Sequence, residues 1–244
     1  NILKNILTKS EFDEELESII EIENKLQDRL IKNGELTTED YNFAHDQKPQ
    51  SALDEIKLGD HQELALEAWE NNNHKAIFKY CTGSGKTMIA MFAIREMLKQ
   101  KKKPLIIVDG IPLRSQWAEE IRKYVTNKIF IPKGKDIGEL LKRASSDNGE
   151  EIVILACDAS AKKENFINNL SIGEHIFLVV DECHCLWAKG ANKIIQEEWY
   201  GCPRLGLSAT PEDTPYEDRV VDNSKIDVVE FFGGKKIAKN KYEF

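Results

Sequence analysis

The stretch Cys81-Thr82-Gly83-Ser84-Gly85-Lys86-Thr87 decides the reading of this chain. A short β-prone run, Ala76–Tyr80, precedes it, and a helical pattern, Lys86–Gln100, follows. A strand, a Gly-rich turn, Lys-Thr and a helix, in that order, form the context that a phosphate-binding loop requires. Glycines let backbone N–H groups approach phosphate oxygens, and the N-terminus of the helix adds partial positive charge. The Lys86 ammonium can reach β- and γ-phosphates, and the Thr87 hydroxyl can coordinate Mg²⁺. Thr82, Gly83, Ser84, Gly85, Lys86 and Thr87 are therefore the expected nucleotide-binding residues. The general pattern has a glycine five residues before its second one; here that position is Tyr80.

Two further clusters lie downstream. The apolar run Ile176–Val180 ends in Asp181-Glu182-Cys183-His184, and Asp181 stands 95 residues after Lys86. Adjacent acids at a strand end are either polar turn residues or catalytic groups. Beside a phosphate loop they suit catalysis: Asp181 as a Mg²⁺ ligand, Glu182 to orient and deprotonate the attacking water. The second cluster is Gly206-Leu207-Ser208-Ala209-Thr210-Pro211. Its hydroxyls either form a turn or relay the state of the phosphate site.

Around these motifs the pattern is α/β. Expected strands are Ala76–Tyr80, Leu105–Val108, Ile152–Ala156, Ile176–Val180 and Arg204–Leu207, with Lys128–Ile131 a weaker sixth. Expected helices are His61–Asn71, Lys86–Gln100, Arg114–Tyr124, Gly138–Ala144, Lys162–Leu170 and Ala191–Glu198. Several strands are apolar throughout, as in a parallel sheet covered on both faces. Alternating strands and helices indicate a doubly wound domain, with ligands at the carboxyl ends of strands. The first 50 residues differ. Ser10 and Asp13 are placed as a capping box for one long amphipathic helix that runs to Asn33-Gly34, and Thr37–His45 reads as a second, short one. Asp46–Ser51 is polar, contains Pro49 and reads as a linker.

Composition sets limits. Of 244 residues, 41% are hydrophobic and 31% charged, and Gly and Pro number 14 and 7, which excludes collagen-like and wholly disordered classes. No apolar run approaches the roughly 20 residues that cross a bilayer, and no signal-peptide pattern is visible. The chain opens on Asn1, as a trimmed fragment would. The net charge of −8 belongs to residues 1–60, which hold 7 of the 34 Lys/Arg and 15 of the 42 Asp/Glu; the rest balances at 27 of each. The acidic segment is either a solvated helix face or an interaction arm. A nucleic-acid contact would have to be local, because such binders are usually basic. Five cysteines in so large a chain read as reduced thiols of a cytoplasmic protein rather than a disulfide framework. Cys183-His184-Cys185 has no CxxC companion and is not read as a zinc site. Cys81 and Cys183 flank the chemistry in sequence, so thiol adducts on either are expected to obstruct it.

Taken together, Thr82–Thr87, Asp181-Glu182-Cys183-His184 and Ser208-Ala209-Thr210 resemble the first RecA-like domain of a superfamily 2 helicase of the DExH group. Arg204–Pro211, Gln116-Trp117 and Phe231-Phe232-Gly233-Gly234 make it similar to the branch of type III restriction Res subunits and excision-repair helicases. The resemblance implies ATP and Mg²⁺ as cofactors and movement on nucleic acid, double-stranded DNA favoured over RNA; an RNA helicase of the same superfamily and an ATP-gated binding or scaffold module are the alternative readings. It also implies a nuclease or modification subunit as a possible partner, and no membrane. It assigns Lys86, Asp181 and Glu182 to catalysis, Thr87 and Asp181 to Mg²⁺, and His184, Ser208 and Thr210 to coupling hydrolysis with nucleic-acid movement. Leu58-Gly59-Asp60-His61-Gln62 resembles an adenine-reading motif, which implies that Gln62 contacts adenine; Gly59 stands where the family often has Arg. Val108–Leu113 and Ala156–Ser160 lie where backbone-contacting loops are expected. The domain plan is an acidic helical segment over 1–50, the ATP-binding domain over 51–232, and over 233–244 the start of a linker to a second RecA-like domain. That second domain would supply arginine fingers, so this chain alone is expected to be nearly inactive.

Overall fold

The continuously apolar runs form the middle of one parallel sheet in a computed structural model of the protein. The structure describes residues 49–81, 83–126, 128–132, 137–187, 199, 201–209, 228–234 and 236–238. The expected helices over residues 11–33, 37–45 and 191–198 lie outside them. The strands are β1 (Lys75–Lys79), β2 (Lys103–Val108), β3 (Ile129–Phe130), β4 (Val153–Cys157), β5 (Ile176–Val180), β6 (Arg204–Ser208) and β7 (Lys236–Ala238). Their order is β3-β4-β2-β5-β6-β1-β7, and every neighbouring pair runs parallel. All carboxyl ends therefore open on one edge, the edge where ligands bind in such sheets.

Side chains alternate between the faces of a strand, and both faces here are covered. Ala76, Phe78, Ile106, Val108, Phe177, Val179, Leu205 and Leu207 enter one core. Ile77, Leu105, Ile107, Ile176, Leu178 and Val180 enter the other. Helices α2 (Asp60–Glu70), α3 (Lys86–Lys99) and α4 (Gly110–Tyr124) pack on the first face through Trp69, Ile94 and Trp117. Helices α5 (Ile137–Ser145), α6 (Asp158–Ala161), α7 (Glu164–Asn169) and α8 (Val228–Phe231) cover the second, with Leu141, Ala161, Phe166 and Phe231 buried. This is the doubly wound α/β architecture expected from the sequence. No described helix is long and apolar enough to cross a membrane.

The structure departs from expectation in four places. Residues 49–51, read as linker, open a helix, α1 (Pro49–Asp54). Its Leu53 is fully buried in the first core, and Asp54 pairs with Arg95 of α3. Proline is tolerated there because the first helical N–H has no intrahelical partner anyway. The helix expected over 162–170 is shorter, α7 beginning at Glu164 after an extended Lys163, and a separate helix, α6, precedes it where a loop was expected. Helix α4 starts four residues early, at Gly110 rather than Arg114. Lastly, Lys236–Ala238, expected in a linker, pairs with β1 as an edge strand after two positive-φ glycines, Gly233 and Gly234.

Candidate nucleotide-binding site

The loop after β1 turns on Gly83 and Gly85, with φ of 82° and 84°. Residues with side chains rarely adopt that region. A Cβ on Gly85 would also sit 2.5 Å from Gln62 Nε2. Gly85 is the N-cap of α3, so the loop delivers its amides to the positive end of a 14-residue helix. Lys86 Nζ donates to the Tyr80 carbonyl at 2.6 Å, folded back across the loop. Ser84 Oγ is buried and has no hydrogen-bond partner among the described residues. Thr87 follows in the first turn of α3; Thr82 lies outside the described residues.

Helix α2 is clamped to this loop. Gly59 N–H donates to Gln62 Oε1 at 2.9 Å, closing its N-terminus, and Gln62 Nε2 reaches the Ser84 carbonyl at 3.5 Å. The buried Tyr80 hydroxyl donates to the His61 carbonyl at 3.0 Å. Tyr80, which occupies the position of a motif glycine, thus serves as a strut between strand and helix.

The carboxylates stand at the end of β5, on the same sheet edge. Asp181 is 9% exposed. Its Oδ2 accepts from Trp117 Nε1 at 2.7 Å, and its Oδ1 accepts from the Glu182 amide at 3.0 Å. Burial pushes the Asp181 carboxyl above its ordinary pKa; those two N–H groups, the Lys86 ammonium and His184 pull it back down. The loop after β1 and the carboxylates after β5 lie on one sheet edge with β6 between them. Glu182 has φ of 48°, a left-handed conformation uncommon outside glycine, and its turn starts the 3₁₀ segment Cys183–Trp187. His184 Nδ1 lies 3.3 Å from Glu182 Oε2 and 3.0 Å from Ser208 Oγ. Ser208 ends β6, and its carbonyl accepts the Tyr80 amide at 3.2 Å. Thr210 lies outside the described residues.

One expectation is corrected here. Cys81 is exposed, but Cys183 is fully buried. A Cβ built on Gly206 would meet Cys183 Sγ at 2.9 Å, so the sulfur packs into β6 rather than facing the phosphate loop. The left-handed turn at Glu182 sends Cys183 inward between two outward polar side chains. Two contacts that sequence spacing does not disclose are the Trp117–Asp181 bond and the Tyr80 strut.

A parallel sheet with a Gly-rich loop after β1 and an acidic pair after β5 defines a RecA-like domain of the superfamily 2 helicase class. Residues 55–213 match the family model described as the type III restriction enzyme Res subunit, and the chain belongs to that family. The DNA 3'-5' translocase XPB2 of Sulfurisphaera tokodaii is 31% identical over 194 residues, which are 77% of this chain and 40% of the relative. The chain therefore spans about two-fifths of that relative's length. Two solved structures share the fold. The Pyrococcus furiosus Hef helicase domain is 22% identical at a TM-score of 0.57, covering 78% of this chain and 40% of its own. The UvsW helicase of bacteriophage T4 is 18% identical at a TM-score of 0.52, covering 88% and 77%.

Proposed function

We propose that the chain is the N-terminal ATPase part of a DNA helicase or translocase, binding Mg-ATP on the carboxyl edge of its sheet. One observation carries this reading: the Gly-rich loop after β1 and the carboxylates after β5 stand on the same sheet edge with only β6 between them, and Ser208 at the end of β6 bonds the Tyr80 amide through its carbonyl and His184 through its hydroxyl. The residues present fit the ligand. Ser84 offers a buried hydroxyl with no hydrogen-bond partner among the described residues, and the loop offers amides and an ammonium. Asp181 and Thr87 offer the hard oxygen donors that Mg²⁺ selects. The ion, when bound there, would offset charge on the phosphates.

The chain's own groups do the rest. Lys86 exchanges the Tyr80 carbonyl for phosphate oxygens. Gln62, held at the loop by Gly59, is placed to read the base. Glu182 accepts a proton from the attacking water. His184 Nδ1 faces a carboxylate and a hydroxyl with a single nitrogen. Protonated, it donates to Glu182 or Ser208; unprotonated, it accepts from Ser208 and has no attraction for Glu182. His184, Ser208 and Thr210 are the residues proposed to couple hydrolysis with nucleic-acid movement, His184 standing between Glu182 and the end of β6. The strand-to-helix junctions at 108–113, from β2 into α4, and at 156–160, from β4 into α6, lie on the same edge and take the place of the two expected loops; they are the proposed nucleic-acid contacts.

The test is ATP turnover of the natural full-length protein with double-stranded DNA, single-stranded DNA and RNA side by side. Duplex DNA is expected to stimulate most. Stimulation by RNA alone would make the protein an RNA helicase, and ATP binding without turnover under any condition would make it a binding module.

Cysteine reactivity is a separate check on the loop. Cys81 is expected to alkylate readily and to be protected by Mg-ATP, while Cys183 stays unmodified until the chain unfolds. Peptide mapping after timed iodoacetamide treatment reads both. Equal modification of Cys81 with and without Mg-ATP would place the nucleotide elsewhere.

A further inference from the structure

We infer that Trp117 is a positioning residue for Asp181, fixing the carboxylate in the orientation that Mg²⁺ requires; the inference rests on the ATP-site reading above. Trp117 is 1% exposed and lies two turns into α4, on a different element from the carboxylate strand. Its Nε1–H donates to Asp181 Oδ2 at 2.7 Å in a buried bond that spans 64 residues of sequence.

Several facts argue that this bond serves the site rather than the indole. A buried indole needs an acceptor, and a backbone carbonyl suffices: Trp69, the other large buried indole of the first core, uses the Arg204 carbonyl. Trp117 is instead spent on the one carboxylate assigned to the metal. The indole N–H is a donor only. It cannot compete for a cation, carries no charge and does not titrate near neutrality. It therefore takes one lone pair of Oδ2 and leaves the others. The Glu182 amide does the same for Oδ1 at 3.0 Å. With one donor on each oxygen, both rotations of the Asp181 side chain are set before any ion arrives. Packing of the first core alone would need only the ring.

The test compares wild type with Trp117→Phe, which keeps a large apolar ring and removes the donor. A fluorescent non-hydrolysable ATP analogue is titrated with EDTA present and again across a Mg²⁺ series. The expected result is metal-free affinity within about twofold of wild type, with the Mg²⁺ concentration at half effect raised roughly tenfold or more, as suits loss of a hydrogen bond to a charged group. In an Asp181→Asn background the same Trp117 change should have no further effect on the Mg²⁺ dependence. If Trp117→Phe melts without cooperativity, the isosteric benzothienylalanine at position 117, with sulfur in place of N–H, gives the same comparison. A Mg²⁺ dependence identical to wild type in a folded variant overturns the inference, and so does equal loss of metal-free and metal-supported binding, which marks a packing role. Wild type whose nucleotide affinity ignores Mg²⁺ would sink the ATP-site reading itself, and is seen before any variant is made.

Discussion

Glu182→Gln is expected to bind Mg-ATP like wild type and to hydrolyse it about 10²–10⁴ times more slowly, the usual share of a general base. The amide keeps the size of the carboxylate and has little affinity for a proton. Neither Lys86 nor the loop amides are touched, so ground-state binding should survive. The left-handed turn at Glu182 is a backbone property that glutamine tolerates as poorly as glutamate, so folding should not separate the two. His184 Nδ1, 3.3 Å from Glu182 Oε2 in the wild type, would then face an uncharged amide. The measurement is single-turnover hydrolysis beside equilibrium binding, in a form of the protein that turns ATP over. Unchanged turnover would move the base to another residue.

Lys86→Ala is expected to act on binding instead. It removes a cation whose present partner is the Tyr80 carbonyl at 2.6 Å and whose proposed partner is phosphate. Truncating one partner of a buried charge pair costs about 2–5 kcal/mol, which is roughly 30- to 3,000-fold in affinity. The Asp181 carboxyl also loses one of the charges that favour its ionised form, so its pKa should rise further above the ordinary range. Calorimetric titration with an ATP analogue checks the prediction. Affinity within threefold of wild type would dissociate the loop from the phosphates. The pair of variants is diagnostic together, since Lys86→Ala should fail at binding and Glu182→Gln only at chemistry.

The legible parts of the fold were those where local pattern and burial coincide. Strands β2, β4 and β5 are apolar on both sides because helices cover both faces, so their runs stand out from the chain. The Gly-rich loop was legible because its glycines, Gly83 and Gly85, are demanded by backbone geometry and stand two residues apart in sequence. Helix α1 was not, since Pro49 is a breaker everywhere except at a first helical position. Strand β7 is three residues, too short for any period, and exists only because β1 offers a free edge. Trp117 was noticed as part of a family phrase, but its role depends on Asp181, and no spacing rule joins residues 64 apart. Cys183 was misjudged because sequence neighbours of a site residue need not point with it. Glu182 and His184 face Ser208 and the open edge, while one strained backbone angle turns the thiol between them into the core.

The placement of β6 between β1 and β5 gives the site a length scale. Neighbouring strands lie about 4.8 Å apart, so the loop strand and the carboxylate strand are separated by roughly 10 Å. A ligand engages both only by bridging that interval. Under the proposed function the sheet would work as a caliper for the phosphate tail, with one jaw at the glycines and the other at Asp181. Ser208 stands at the pivot, bonded to one jaw through its carbonyl and to the other through its hydroxyl. Under the same proposal, loss of the terminal phosphoryl would shorten the tail, and the pivot at Ser208 would be the part of the frame to register the change.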